Sequence, residues 1–150
     1  MAEIVFEKRD GKYDAMFVER GGKLEEIACP KQPPIPHDMF HYAVETTLDK
    51  RGFMRRIAGG EGAGFRMAPE RVSEAVERLV EAMQADSWSG RPPAQEVVDM
   101  FVLTCGARGD EPFALSPDDV TAIRAEIDRL AAEWSAVPVR GRMTLQVADG

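Results

Sequence analysis

The chain lacks most of the segments that would place it in a specialised class of protein. No apolar run approaches the roughly 20 residues of a membrane-spanning helix, and the N-terminal segment becomes charged at once, so no secretory signal is visible. The two cysteines, Cys29 and Cys105, match no CxxC pattern and are expected to be reduced thiols in the core. We therefore expect a cytoplasmic protein without a membrane partner.

Motifs of several enzyme classes are also missing. There is no GxSxG elbow for an activated serine. The glycine-rich segment 59–64 lacks the preceding strand of a dinucleotide fingerprint, and no GKS or GKT appears, so we predict a flexible loop or lid there. The net charge of −7 and the pI near 4.9 argue against nucleic acid as the main partner, because phosphate binding requires an extended basic surface.

The pattern of the remaining sequence predicts one α+β domain over residues 1–150. Residues 3–28 alternate as three short strands, with turn signals at Asp10-Gly11 and Gly21-Gly22, and a terminal strand is expected over 143–147. Strands at both ends of the chain enclose a helical middle. We therefore expect a small antiparallel sheet in which the C-terminal strand pairs with an N-terminal strand and about four helices cover one face.

Apolar residues at helical spacing predict the four helices. Their expected bounds are 36–49, Pro69 to about Ala85, Ala94 to Cys105, and a helix that begins at Ser116 and continues to Trp134. The apolar stripe of the last helix is interpreted as core packing rather than as a dimer surface. On the second helix, the charged residues are assigned to the solvent face: Glu70, Arg71, Glu74, Glu77, Arg78 and Glu81.

The two histidines of the chain, His37 and His41, lie four residues apart in the first of these helices. At about 100° per residue, this spacing places both imidazoles on one face, at or beside an apolar stripe that contains Phe40, Val44 and Leu48. Both rings are therefore expected to face inward or to line a cleft. Burial favours the neutral imidazole, which is the form that binds metal.

This spacing indicates a metal site in which His37 and His41 bind a divalent cation such as Zn²⁺. It is the spacing of HExxH zinc helices, but the chain has HDxxH, and Asp38 is one methylene shorter than the usual general base. Glu45 lies about 12 Å along the helix from His37, too far to share the ion. A third ligand is expected to be an Asp, Glu or Cys from another element.

Two interpretations without a metal remain open. In the structural one, Asp38 and Glu45 bond to His41, while His37 bonds to the backbone of the proline-rich connector 30–36. In the catalytic one, His41 acts as a base that Glu45 orients.

Cations surround the glycine-rich segment, with only Glu61 opposing them: Lys50, Arg51, Arg55, Arg56 and Arg66. In an acidic protein this local excess can attract an anionic ligand, although solvated charges at a helix end explain it more simply. If the site is active, Asp38 and Glu45 are its candidate catalytic residues. Tyr42, Arg51 and Arg55 are then the candidate contacts of a small anionic ligand.

The segment Pro36–Glu45 and the following Arg51-Gly52-Phe53 resemble a family of small bacterial proteins. That family carries P-x-H-D-x-x-H-Y-x-V-E and then R-G-F, and the resemblance covers about residues 35–54. It implies a bacterial origin and a recurring His-Asp-His-Tyr-Glu constellation, but no established activity.

Taken together, these patterns favour a polar site on the 36–49 helix that binds a divalent metal or a small anionic ligand. If the protein is an enzyme, metal-assisted hydrolysis is the first expectation. The contrasting interpretation is a non-enzymatic protein-interaction module in which the histidines are structural. The substrate, a protein partner and a homo-oligomer are left open.

Overall fold

A computed structural model describes residues 2–20, 22–61 and 69–148 of the chain. These residues form four strands and five helices: β1 Ala2–Glu7, β2 Tyr13–Arg20, β3 Lys23–Pro30, α1 His37–Leu48, α2 Phe53–Ala58, α3 Arg71–Trp88, α4 Ala94–Arg108, α5 Pro117–Ser135 and β4 Arg142–Val147. The α+β class and the position of the strands are confirmed. The expected number of helices was one too low, because the short α2 carries too few residues to show a helical period.

The sheet is antiparallel and has the strand order β3-β2-β1-β4. The two ends of the chain pair with each other, since β4 lies beside β1 with Leu145 opposite Ile4 and Met143 opposite Phe6. These four side chains are buried, whereas alternate residues on β4 such as Thr144 are exposed. The period-2 pattern therefore gives one face to the core and the other to solvent.

Helix α5 begins as its sequence predicts. Ser116 accepts a hydrogen bond from the backbone N–H of Asp119, and the Asp119 carboxylate accepts one from the N–H of Ser116. This capping box satisfies amides that the first helical turn leaves without partners. The apolar stripe of α5 is buried in the core, so its interpretation as core packing is confirmed: Val120, Ile123, Ile127, Leu130 and Trp134.

Helix α1 ends where the sequence predicts. The expected helix 36–49 closes at Asp49, which caps α1 in the left-handed conformation with φ 53°, and Gly52 is the N-cap of α2 rather than a stop for α1. A glycine is required at position 52 because the side chains of Glu45 and Val76 approach its Cα closely. A Cβ atom on it would lie 2.7 Å from Cδ of Glu45 and 2.7 Å from Cγ1 of Val76.

The assignment of all charged residues of α3 to the solvent face was wrong. The side chain of Arg78 is only 8% exposed, and that of Glu77 is 34% exposed. Helix α3 packs against α1 on one side and α4 on the other, so a wider arc of it is covered than one apolar stripe predicts.

The proline-rich connector between β3 and α1 lies along α3. The indole Nε1 of Trp88 donates to the carbonyl oxygen of Pro33 at 2.7 Å, and the Gln84 amide donates to the side-chain oxygen of Gln32. Cys29 and Cys105 are buried free thiols, as expected. Residues 62–64 of the predicted loop 59–64 lie outside the described residues, and no helix in the described part of the chain could cross a membrane.

Candidate metal centre

The two histidines lie at the N-terminal end of α1, where the connector delivers the chain to the helix. Pro36 is the N-cap with φ −55°, and His37 is the first helical residue. One turn later, His41 is buried, and the centroids of the two rings are 5.0 Å apart in an edge-to-face arrangement. The helical spacing therefore brings the imidazoles together as the sequence predicts.

The third member of the group is Glu77, which α3 contributes. Its Oε2 atom lies 3.0 Å from Nε2 of His41. One ligand atom from each of His37, His41 and Glu77 lies within 4.8 Å of the other two. Ligand atoms around a tetrahedral Zn²⁺ are roughly 3.4 Å apart, so the widest separation in the group must shorten by about 1.4 Å to hold one ion.

A second carboxylate lies behind His41. Oε2 of Glu45 is 3.5 Å from Nδ1 of His41 but does not form a hydrogen bond with it, and Nδ1 has no hydrogen-bond partner among the described residues. The Glu45 carboxylate instead accepts hydrogen bonds from the backbone N–H groups of Gly52, Met54 and Arg55, at 2.9 to 3.0 Å. Glu45 thus ties the start of α2 to α1 and places a negative charge beside His41.

The side-chain amides of Gln32 and Gln84 both contact Nδ1 of His37. Nδ1 of His37 lies 2.9 Å from Oε1 of Gln32 and 2.8 Å from Nε2 of Gln84. A protonated Nδ1 donates to the Gln32 oxygen, whereas an unprotonated Nδ1 accepts from the Gln84 amide. When the protonated Nδ1 donates to Gln32, Nε2 of His37 is unprotonated and has a free lone pair.

The charges of the group follow from these contacts. Burial acts to lower the pKa of His41, but the carboxylates of Glu45 and Glu77 outweigh it and raise the pKa to about 10. For Glu77, burial acts to raise the pKa, but the neighbouring histidines, His41 above all, hold it below its usual value. The pKa of His37 is lowered, first by burial and then by the charge of His41. In the absence of a metal, His41 is therefore the cation of the group.

The other predicted residues of α1 do not belong to the group of His37, His41 and Glu77. Asp38 is buried beside Cys29 of β3, where burial first and the Asp38 carboxylate next raise the pKa of the thiol well above its usual range. Tyr42 is buried in the apolar core. The Glu45 carboxylate faces His41, but its oxygens are occupied by the amides of α2. Whether Asp38 and Glu45 take part in catalysis stays a prediction.

The predicted anion-binding cations are engaged by neighbouring carboxylates. Arg51 lies 2.7 Å from Glu61 and 3.4 Å from Glu70, and Arg55 lies 2.7 Å from Asp49. These ion pairs reduce the positive charge that the sequence suggests for this region. A role for Arg51 and Arg55 in binding an anionic ligand stays a prediction.

Glu77 is the residue that sequence reasoning missed. Its neighbours on α3 have the acidic and basic composition of a solvated face, and its spacing to the histidines is 36 residues or more. The sequence predicted only that a third ligand would be an Asp, Glu or Cys from another element, and it gave no position for that residue. No local signal in α3 could have distinguished Glu77 from Glu74 or Glu81.

Comparison with known protein families, with curated proteins and with solved structures finds no match. The resemblance of residues 35–54 to a bacterial family therefore receives no support, and nor does the bacterial origin that it implies. The arguments below depend on the geometry of this chain alone.

Proposed function

We propose that this protein binds one divalent transition-metal ion through His37, His41 and Glu77. The observation that carries the proposal is the convergence of these three side chains, from two helices, to within 4.8 Å. Two imidazoles and one carboxylate form the donor set of several catalytic zinc sites, which keep a further position for water or substrate. Zn²⁺ is the first choice among metals, and Fe²⁺ is compatible with the same two-histidine, one-carboxylate set.

The surroundings of the histidines support the proposal. Metal-binding histidines usually direct their second nitrogen to a carboxylate or a carbonyl group, which orients the ring. Here Glu45 lies behind Nδ1 of His41 and the Gln32 carbonyl lies behind Nδ1 of His37. The buried Nδ1 of His41, which lacks a hydrogen bond, would gain one by a small shift toward Glu45 when its Nε2 binds the ion.

The reaction class that fits such a site is hydrolysis of a small substrate. A bound Zn²⁺ lowers the pKa of its water ligand to about 7 and so supplies a nucleophile near neutral pH. The residues of this chain would hold the ion, and Glu77, being partly exposed, lies on the side that a ligand could approach.

Metal analysis of untagged protein tests the proposal. We expect about one Zn²⁺ per chain after exposure to the metal and gel filtration, with binding weakened at least about 100-fold in His37→Ala and in Glu77→Gln. Glu81→Gln is the matched control, because Glu81 lies one turn further along α3 and pairs with Arg78. Circular dichroism verifies that each variant is folded. Wild-type protein that takes up no stoichiometric metal, or variants that retain it, would overturn the proposal.

One observation favours the alternative, a protein-interaction module with structural histidines. The Nε2–H of protonated His41 already has an acceptor in Glu77, so the pair is stable without a metal. A protein that binds no metal, and whose histidine variants only unfold at lower temperature, would support this alternative.

A further inference from the structure

The proline-rich connector is fastened to α3 by side chains of that helix. Three of residues 31–36 are prolines, which have no N–H to donate, so the connector has few amides with which to hold itself in place. The Trp88 indole N–H donates to the carbonyl oxygen of Pro33 at 2.7 Å, and the Gln84 amide donates to the side-chain oxygen of Gln32. These two donors lie four residues apart and therefore project from one face of α3.

Gln32 extends this attachment to the metal centre. Its side-chain oxygen lies 2.9 Å from Nδ1 of His37. Because the Gln84 amide donates to the same oxygen, the oxygen end of the Gln32 amide faces the imidazole. A carbonyl oxygen only accepts, so the bond to His37 forms when Nδ1 carries the ring proton. Nε2 then has the lone pair that a metal ion needs.

Gln84 favours the opposite position of the ring proton. Its Nε2 atom lies 2.8 Å from Nδ1 of His37 and can only donate, so this contact is a hydrogen bond when Nδ1 is unprotonated and Nε2 of the ring carries the proton. The Gln32 oxygen and the Gln84 amide therefore compete for one ring nitrogen. Without the Gln32 oxygen, Gln84 alone would place the proton on the nitrogen that the ion requires.

Trp88 holds the connector from an exposed position. Its side chain is 59% exposed, so its ring adds less to the core than a buried tryptophan does, and its bond to Pro33 is its polar contact with the connector. We propose that Gln32 is a positioning residue of the metal centre and that Trp88 keeps it in place through the connector. This role rests on the metal site proposed above, because it concerns how His37 is oriented toward the ion.

The Zn²⁺ affinity of Gln32 variants tests this role. Competition with a chromophoric chelator measures the Kd of the full chain for Zn²⁺ alone. We expect Gln32→Leu to weaken binding about 10–100-fold, the usual effect of removing the partner of a metal-binding histidine. Gln32→Glu should bind at least as tightly as the wild type, because a carboxylate oxygen accepts the same bond. Gln95→Leu is the matched control, since Gln95 is an exposed glutamine of α4 that bonds to Asp99.

Trp88→Phe tests the attachment of the connector at a distance from the ion. The change removes the indole N–H but keeps an aromatic ring at an exposed position, so circular dichroism should be unchanged. We expect Zn²⁺ binding to weaken by about threefold to tenfold, as the loss of one hydrogen bond predicts. Zn²⁺ binding equal to that of the wild type would overturn the part assigned to Trp88.

Nitrogen NMR spectra of the His37 ring give a measurement that needs no metal. In chelator at about pH 8, where a histidine with an ordinary pKa is neutral, the ring proton should lie on Nδ1 in the wild type and in Gln32→Glu. In Gln32→Leu it should move to Nε2. A wild-type ring with its proton on Nε2 would overturn the role of Gln32.

The affinities separate this role from the metal site itself. Wild-type protein that binds no Zn²⁺ overturns the metal site. Wild-type protein that binds Zn²⁺, together with a Gln32→Leu variant of equal affinity, overturns only the role of Gln32. So does a Gln32→Glu variant as weak as Gln32→Leu, since such a loss would come from packing rather than from the accepted hydrogen bond.

Discussion

Nε2 of His41 lies 3.0 Å from Oε2 of Glu77, and this contact joins α1 to α3 beside the connector that leads into α1. His41 is buried, so the pair is shielded from solvent on the histidine side, while Glu77 retains partial exposure. The same two atoms can share a proton or bind one metal ion. The contact therefore has a consequence for stability that is separate from its consequence for metal binding.

Removing the carboxylate should destabilise the protein even without a metal. With a chelator present, we expect Glu77→Gln to lower the free energy of unfolding by about 1–3 kcal/mol, because it leaves the buried His41 cation with weaker compensation. The control Glu133→Gln breaks an exposed pair with Arg129 and should change it by less than about 0.5 kcal/mol. Urea unfolding measures both. Equal stability of Glu77→Gln and wild type would contradict this prediction.

The same cluster should make stability depend on pH. The pKa of His41 is raised from 6.5 to about 10 in the folded protein. A group whose pKa is raised by folding contributes its full stabilisation below its unfolded pKa and loses it as the pH rises through the folded value. We therefore expect this contribution to be complete below about pH 6.5 and to disappear toward pH 10. The difference in unfolding free energy between wild type and His41→Gln, measured across this range in chelator, should shrink as the pH rises. A difference that grows would show that the sign is wrong.

Gly52 should not tolerate a side chain. A Cβ atom there would lie 2.7 Å from both Glu45 and Val76, so Gly52→Ala must displace the carboxylate that caps α2, and we expect a loss of about 1–3 kcal/mol. Gly11→Ala is the control, since no heavy atom lies within 4 Å of its added Cβ. We expect Gly11→Ala to change the stability by less than about 0.5 kcal/mol. Thermal unfolding of the two variants under one buffer condition checks the contrast.

The contribution of the α5 capping box to stability should be measurable by removing one atom, the hydroxyl oxygen of Ser116. Ser116→Ala leaves the N–H of Asp119 without its side-chain acceptor and should cost about 1 kcal/mol. Ser135 lies at the other end of the same helix, where its hydroxyl donates to the Ala132 carbonyl. Ser135→Ala should have a smaller effect, because an exposed carbonyl can bond to water instead. Chemical denaturation distinguishes the two, and equal losses would remove the capping explanation.

Helices and strands could be predicted from the sequence where the residues that define them are close together in the chain. The alternation of β4 and the capping residues of Ser116-Pro117-Asp118-Asp119 gave the correct strand and the correct helix start. The end of α1 was also predicted correctly, since the expected bounds of 36–49 end at Asp49, the left-handed cap of the helix. Helix α2 was not predicted because its six residues are too few to show a helical period and because its first amides are capped by Glu45, which lies on another element.

The sequence by itself determined the α+β class, the strands near both ends of the chain and the presence of two imidazoles on one inward face of α1. These properties follow from period-2 and period-3.6 patterns, which act between residues near each other in the chain. Only the tertiary structure decided which carboxylate meets the histidines. That choice depends on how α3 is rotated and positioned against α1, and residue spacing within either helix carries no information about it. Glu77 therefore becomes the third member of the site through packing, while Glu45, four residues from His41, is occupied in holding α2.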